Sequence, residues 1–134
     1  MAKEAPTLAV VVDSAVAASK TISNDVTNLS ISTPRGIQSV TGVNSAAEER
    51  LLLTADGTIS LNGVFNSATD LSHDVLKDVG PTSVARTVVV TTSGKIMTME
   101  GYPVNYDLTR AQDGSLTWAS SFLQTTTTAP TWST

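Results

Sequence analysis

The sequence predicts a mainly β protein, an antiparallel β-sandwich or barrel with one flanking α-helix and a long loop. Three observations predict it. Short runs of β-branched residues are separated by turn dipeptides such as Asp56-Gly57, Ser93-Gly94 and Asp113-Gly114, the pattern of antiparallel strands joined by tight turns. A single segment carries apolar residues at helical spacing. The chain of 134 residues has the length of one domain, 1–134, with room for a modest core and none for a two-domain enzyme.

The elements follow in order. Segment 8–12, Leu-Ala-Val-Val-Val, is a continuous apolar strand. In 22–32, Val26 lies on one parity and Leu29 and Ile31 on the other, so a bulge is expected near Asn28. Segment 33–49 has neither a strand nor a helix period, yet it carries Ile37, Val40 and Val43 among Gly, Ser and Thr. Loops beyond about 12 to 15 residues are usually functional or disordered, and apolar residues in one need a surface to cover them. A neighbouring subunit is one such surface; a surface insertion without a role is the other reading. After Asp56-Gly57, Ile59, Leu61 and Phe65 alternate with Thr58, Ser60, Asn62 and Asn66, giving a strand with one apolar and one hydrophilic face. Segment 70–80 is the helix, with Leu71, Val75, Leu76 and Val79 on one stripe, Asp70 as its cap, Gly80 as its left-handed stop and Pro81 beyond. Strands are expected over 83–92, 95–100 and 102–109, where Pro103 favours an edge or a bend. Leu116, Trp118 and Phe122 mark the last strand, and 125–134 is expected as a C-terminal arm.

Charged residues are 15% of the chain, against about 25% in an ordinary soluble domain. Ser and Thr together are 37 of 134 residues, so the surface is uncharged hydroxyl. Charge is depleted at interface centres, and such a surface suits a subunit covered by its own copies; a secreted β-domain is the alternative. The net charge is -4 and the eight basic residues stand far apart, so no cationic patch exists to grip nucleic acid. With no Cys there is neither a disulfide framework nor a thiolate metal site. Lys3 followed by 8–12 imitates a secretory signal, but Asp13 and Ser14 interrupt the apolar run and Glu4 cancels the charge, so no leader is expected. No apolar run approaches the roughly 18 residues of a membrane span, and a soluble chain without membrane partners is expected.

Catalytic readings fail on geometry. Ser72, His73 and Asp74 are consecutive on the helix, where neighbours diverge by about 100° and cannot converge. His73 reads as a solvated helix residue, and Glu48 and Glu49 as a solvated corner or partners of Arg35 and Arg50. Ser93-Gly94-Lys95 lacks the hydroxyl and the first glycine of a phosphate loop. The chain is expected to be no enzyme and to need no metal or cofactor.

Several stretches resemble, in their order, the major tail tube proteins of long-tailed (siphovirus-type) bacteriophages, particularly those infecting actinobacteria. They are Thr33-Pro34-Arg35-Gly36-Ile37-Gln38, Glu49-Arg50-Leu51-Leu52-Leu53, Ser60-Leu61-Asn62-Gly63-Val64-Phe65-Asn66, Ser72-His73-Asp74-Val75, and Gly114-Ser115-Leu116-Thr117-Trp118 with the Thr-rich tail. The resemblance runs from about Thr21 to the end of the chain. It implies a β-sandwich with one helix, hexameric rings whose inner sheets close into a barrel, and stacked rings that conduct DNA without binding it specifically. It further implies tape measure and other tail proteins as partners, assembly in the host cytoplasm and residence in the virion tail. The interface role of the family's long loop is carried to Pro34, Arg35, Gly36, Ile37, Val40, Val43, Glu48, Glu49 and Arg50. Lumen candidates are the hydrophilic strand residues Thr58, Ser60, Asn62 and Asn66 and the acidic residues Asp25, Glu100 and Asp107. A ring of six chains at -4 each carries -24 formally, which repels phosphate. The alternative is a monomeric or trimeric β-domain binding module, such as a capsid decoration or adhesin protein.

Overall fold

The computed structural model describes residues 8–14, 18–44, 46–82, 84–125 and 130–133. In chain order these form β1 (Leu8–Asp13), β2 (Ser19–Thr21), a 3-10 turn (Ser23–Asp25), β3 (Val26–Ser32), β4 (Arg35–Ser39) and β5 (Arg50–Ala55). There follow β6 (Thr58–Val64), α1 (Ser72–Leu76), β7 (Arg86–Thr92), β8 (Lys95–Arg110), β9 (Leu116–Gln124) and β10 (Thr131–Ser133). The fold is mainly β and antiparallel, with one short helix among the described residues, as the sequence predicts. No helix among them is long and apolar enough to cross a membrane.

One sheet has the order β2-β1-β7-β8-β9-β6-β3, with β10 also on β8; β4 and β5 form a separate hairpin. The large sheet folds over on itself because β8 belongs to both halves. Its first part pairs with β7 from Lys95 to Gly101, and its second part pairs with β9 from Gly101 to Arg110. The register slips between Pro103 and Asn105, where proline supplies no ladder donor. Thus 95–100 and 102–109, expected as two strands, are one strand with a bulge at the expected bend. The other expected bulge also occurs, between Val26 and Asn28.

The two halves close on one core. Val10, Val12, Val88, Val90, Met97 and Met99 come from the β1-β7-β8 half, and Ile59, Leu61, Trp118 and Phe122 from the β6-β9 half. Alternation along each strand puts these residues on one face. Val75 and Leu76 of α1 and Ile22 complete the cluster. The Trp118 Nε1 donates to the Val64 carbonyl at 2.8 Å, so the largest buried side chain leaves no polar atom unsatisfied.

Three expected elements differ in detail. The helix is confined to Ser72–Leu76 rather than 70–80. Asp70 has φ 65°, outside helical geometry, so it cannot be the cap; Leu71 takes that place without a side-chain bond. The Asp74 carboxylate instead accepts from the Asp70 N–H at 3.0 Å. After Leu76 the chain tightens, with Val79 N–H bonded to the Leu76 carbonyl, and Gly80 is not among the positive-φ residues. Segment 33–49 is not an irregular loop: 35–39 is β4, paired with β5. Part of the expected C-terminal arm is a strand on its own chain, since 131–133 pairs with 96–98 of β8; 126–129 and 134 lie outside the described residues, as do Lys3 and Glu4 of the leader-like stretch, whose apolar run 8–12 is in β1.

Candidate assembly surfaces

The second half of the large sheet, with order β8-β9-β6-β3, presents a hydrophilic face away from the core. Register places Asn28, Ser30 and Ser32 of β3 beside Asn62, Ser60 and Thr58 of β6. Ser60 and Asn62 stand opposite Ser121 and Ala119 of β9, which in turn stand opposite Asn105 and Asp107 of β8. Asp107 is the one carboxylate in this array of hydroxyls and amides. Asn105 orients it: its Nδ2 donates to Asp107 Oδ2 at 2.6 Å while its Oδ1 accepts from the Ser121 N–H at 2.9 Å. The bulge at Pro103 brings Asn105 onto this face.

Both edges of this half are open. Among the described residues, no strand pairs with the outer edge of β3, and β8 has β9 on one side only after Gly101, where β7 ends. Unpaired ladders of this length template association unless something covers them.

The β4-β5 hairpin projects from one end of this half. It leaves β3 after Ser32 and returns to β6 at Thr58, the end at which Leu123 and Tyr102 stand opposite each other. The Pro34 carbonyl accepts from the Asp56 N–H at its base, and Val40 N–H donates to the Glu49 carbonyl toward its tip. All nine interface candidates lie on this arm: Pro34 at the base, Arg35, Gly36 and Ile37 on β4, Val40 and Val43 beyond it, and Glu48, Glu49 and Arg50 on the return. Leu53 lies over Gly36, with its Cβ 3.2 Å from where a side chain there would begin. Glu48 and Arg50 form an exposed ion pair at 2.7 Å, of little energetic weight.

Sequence reasoning missed the strongest apolar part of the arm as a site. Ile37, Leu51 and Leu52 are 58%, 54% and 62% exposed, and Leu53 and Val43 are exposed too. Ile37 pairs with Leu52, and Gln38 with Leu51, so successive leucines put apolar surface on both faces of the hairpin. The signal was the unbroken triplet Leu51-Leu52-Leu53, which no half-buried strand requires. Tyr102, Val104, Leu108, Leu123 and Val64 of the body are exposed apolar residues too; Leu123 and Tyr102, in register with Thr58, and Val64, two residues beyond Asn62, lie at the two ends of the hydrophilic face.

The lumen candidates divide. Thr58, Ser60, Asn62 and Asp107 share the hydrophilic face. Asp25 does not: it is buried, and its carboxylate accepts from Asn66 Nδ2 at 3.1 Å and from the Ser72 N–H at 3.0 Å. Asp25 and Asn66 thus tie the start of β3 to α1, a structural task requiring a buried acceptor. Glu100 lies on the other half, opposite Thr87, with its carbonyl bonded to the Thr125 N–H. His73, expected to be solvated, is half-buried between Phe65 and Tyr106, its Nδ1 3.1 Å from the Tyr106 hydroxyl. Burial pushes the Tyr106 pKa up. No cluster of metal-ligating side chains occurs among the described residues.

No protein-family model matches the chain, and no curated protein matches it in sequence. Its fold matches solved structures over nearly its whole length. A chain of the virion of a native gene transfer agent particle aligns with a TM-score of 0.78 at 17% identity, covering 99% of this chain and 100% of that one. A chain from the tail of an empty gene transfer agent particle, of C6 symmetry, aligns at 0.73 and 17% identity with the same coverage. A chain of the 6-fold symmetrised baseplate of the anti-feeding prophage aligns at 0.65 and 10% identity, over 99% of this chain and 96% of that one.

Proposed function

We propose that this chain is a structural virion protein: the repeating subunit of a tail tube of the long-tailed phage type, built from stacked hexameric rings that conduct DNA. The observation that carries this reading is the four-stranded half with two open edges and a hydrophilic face. Pairing β3 of one copy with the second part of β8 of the next closes such sheets into a barrel and removes both open edges of this half. The hydroxyl and amide face then lines the lumen, with Asp107 as one negative charge per copy. No cation on that face holds phosphate, so DNA slides without being bound. Six copies per ring is the symmetry of the structurally similar gene transfer agent tail.

The arm supplies the association energy. Burying Ile37, Leu51, Leu52 and Leu53 against neighbours contributes about 1.5–3 kcal/mol per side chain. Bringing two proteins together costs about 4–15 kcal/mol, so one arm contact only roughly breaks even. Several contacts made at once, at a growing end, are favourable. Nucleation is therefore slow and elongation fast. Tape measure and other tail proteins would set where the tube starts and stops.

Negative-stain electron microscopy of concentrated protein, with sedimentation velocity, tests the reading. Tubes with a central channel are the expected result. Stable monomers or trimers that bind a capsid or a glycan would overturn it in favour of a binding module.

A further inference from the structure

The two open edges of the β8-β9-β6-β3 half carry more than unpaired peptide groups. Leu108 stands opposite Trp118 and Tyr106 opposite Ser120, so both lie on the core side of β8, where Trp118 and Ser120 are buried. Leu108 is nevertheless 45% exposed and Tyr106 is half-buried, because no strand among the described residues lies beyond them. β3 is in the complementary state. Leu29 and Ile31 stand opposite the core residues Leu61 and Ile59, and both are only half-buried at their own edge. Each edge thus presents two apolar side chains on the core-side face, and polar side chains on the other.

β8, β9, β6 and β3 pair antiparallel throughout, so β3 runs opposite to β8, and β3 of a second copy continues the alternation when laid along β8. The bulges set where it can lie. β3 is uninterrupted from Asn28 to Ser32 and β8 from Asn105 to Arg110, since the registers slip between Val26 and Asn28 and between Pro103 and Asn105. Leu29 opposite Leu108 puts Ile31 opposite Tyr106, Ser30 opposite Asp107 and Ser32 opposite Asn105, with the straight part of β3 wholly on the straight part of β8. A slip of one residue turns Leu29 against Asp107 or Thr109 of the hydrophilic face. A slip of two in one direction lays Ser32 against Pro103, which has no N–H to give, and in the other carries Asn28 beyond Arg110, where β8 ends. Within one copy Asn28, Asn62, Ala119 and Asp107 stand in one row. The fitting register continues that row from Asp107 to Ser30 of the next copy rather than to Asn28, and a stagger of this kind at each junction is what closing tilted strands into a barrel requires.

We propose that β3 of one copy pairs with β8 of the next in this single register, and that Leu29 and Ile31 of the first copy cover Leu108 and Tyr106 of the second as an apolar seam on the core side of the lumen wall. This rests on the tube reading and adds to it which residues meet at the junction. The partner is a second copy because its β3 matches the β8 edge in direction, in straight length and on both faces. β8 paired with β8 of a second copy would leave both β3 edges open. The seam is a contact distinct from the leucines of the β4-β5 hairpin: it joins neighbours along one sheet, whereas the hairpin projects beyond the sheet's end.

The chain has no cysteine, so engineered disulfides read the register. Within one copy Ser30 and Asp107 sit on strands three spacings apart, about 14 Å, too far to bridge, so a bond between cysteines placed there joins two copies. Ser30→Cys with Asp107→Cys, assembled and then oxidised, should give covalent ladders that end at the closed ring on non-reducing gels. Ser30→Cys with Asn105→Cys, or with Thr109→Cys, should give at least about tenfold less, since a slip of two residues carries the Cα atoms beyond about 7 Å. Tubes in which a displaced pair bonds and the first pair does not would overturn the register and leave the tube reading intact, as would Asp107→Cys alone bonding to itself across a β8–β8 junction. Leu108→Thr tests the seam: melting temperature below the assembly concentration should change little, while the critical concentration in sedimentation should rise about tenfold. An unchanged critical concentration would overturn the seam. Wild-type protein that never assembles would overturn both readings. Should the double variant fail to fold or assemble, a side-chain-resolved map of wild-type tubes decides: Leu29 against a neighbour's Leu108 supports the proposal, and any other register refutes it.

Discussion

β5 and β6 are consecutive strands of similar length, separated by Asp56 and Gly57, and they meet opposite fates. β6, Thr58–Val64, buries Ile59, Leu61 and Gly63 and turns Ser60 and Asn62 outward. β5, Arg50–Ala55, is exposed from Arg50 through Thr54 although three of those residues are leucines. Strict alternation lets one strand face its own core and water at the same time. An unbroken apolar triplet has no such solution within a sheet that covers one side only. It asks for cover on both sides, and the subunit itself supplies none. The core of the body is thus closed within the chain, whereas the leucines of the arm are left exposed by it.

Substitutions separate the two regions by their effect on the subunit alone. Trp118→Ala removes the largest buried side chain and its bond to Val64, and should destabilise the subunit by about 3–5 kcal/mol in urea unfolding. Gly63→Ala comes next. A Cβ there would lie 1.7 Å from the Asp25 carbonyl oxygen, so the β3 bulge must shift, at a cost of about 1–3 kcal/mol. Replacing Leu51, Leu52 and Leu53 together by Ser should alter subunit stability by no more than about 0.5 kcal/mol per site yet abolish sedimenting tubes. Deleting 37–43 should likewise leave a folded monomer that does not polymerise. A large loss of subunit stability from the leucine changes would mean that the arm packs on its own body after all.

The smallest effect is electrostatic. The hydrogen bond from the Lys77 ammonium, and then that from the Asp70 N–H, hold the Asp74 carboxyl below its ordinary range. A carboxyl depressed in the folded state contributes stability that is present above its unfolded pKa of about 3.9 and lost as pH falls through the lower folded value. Asp74→Asn should therefore flatten the stability profile slightly below about pH 4, as urea midpoints at neutral and acidic pH would record, without changing the behaviour of the arm.

Much of the body was legible in the sequence because period and punctuation agree there. The alternation from Thr58 onward, the turns at Ser93-Gly94 and Asp113-Gly114, and the parity switch at Asn28 each map to a strand, a turn or a bulge. What failed had local patterns outweighed by distant partners. Asp70 looked like a helix cap, yet its positive φ removes it from the helix, while its carboxylate pairs with Lys20. Asp25 looked like a strand carboxylate facing water, and no short-range pattern shows that Asn66 and Ser72 N–H converge on it. β4 carries Gly36 and no clear alternation, so only its pairing with β5 reveals a strand. The burial of Arg86 at the start of β7 gave no signal, since it depends on sheet register and helix placement rather than on neighbours in sequence.

The hairpin leaves the body at the Ser32–Thr58 end and nowhere else, so head and foot of the molecule are chemically unlike. Any polymer built from such units by repeated stacking inherits a direction, with one terminus showing projecting fingers and the other only the surfaces that receive them. Its two tips then call for different capping proteins, and a factor that recognises one of them controls growth from that tip alone.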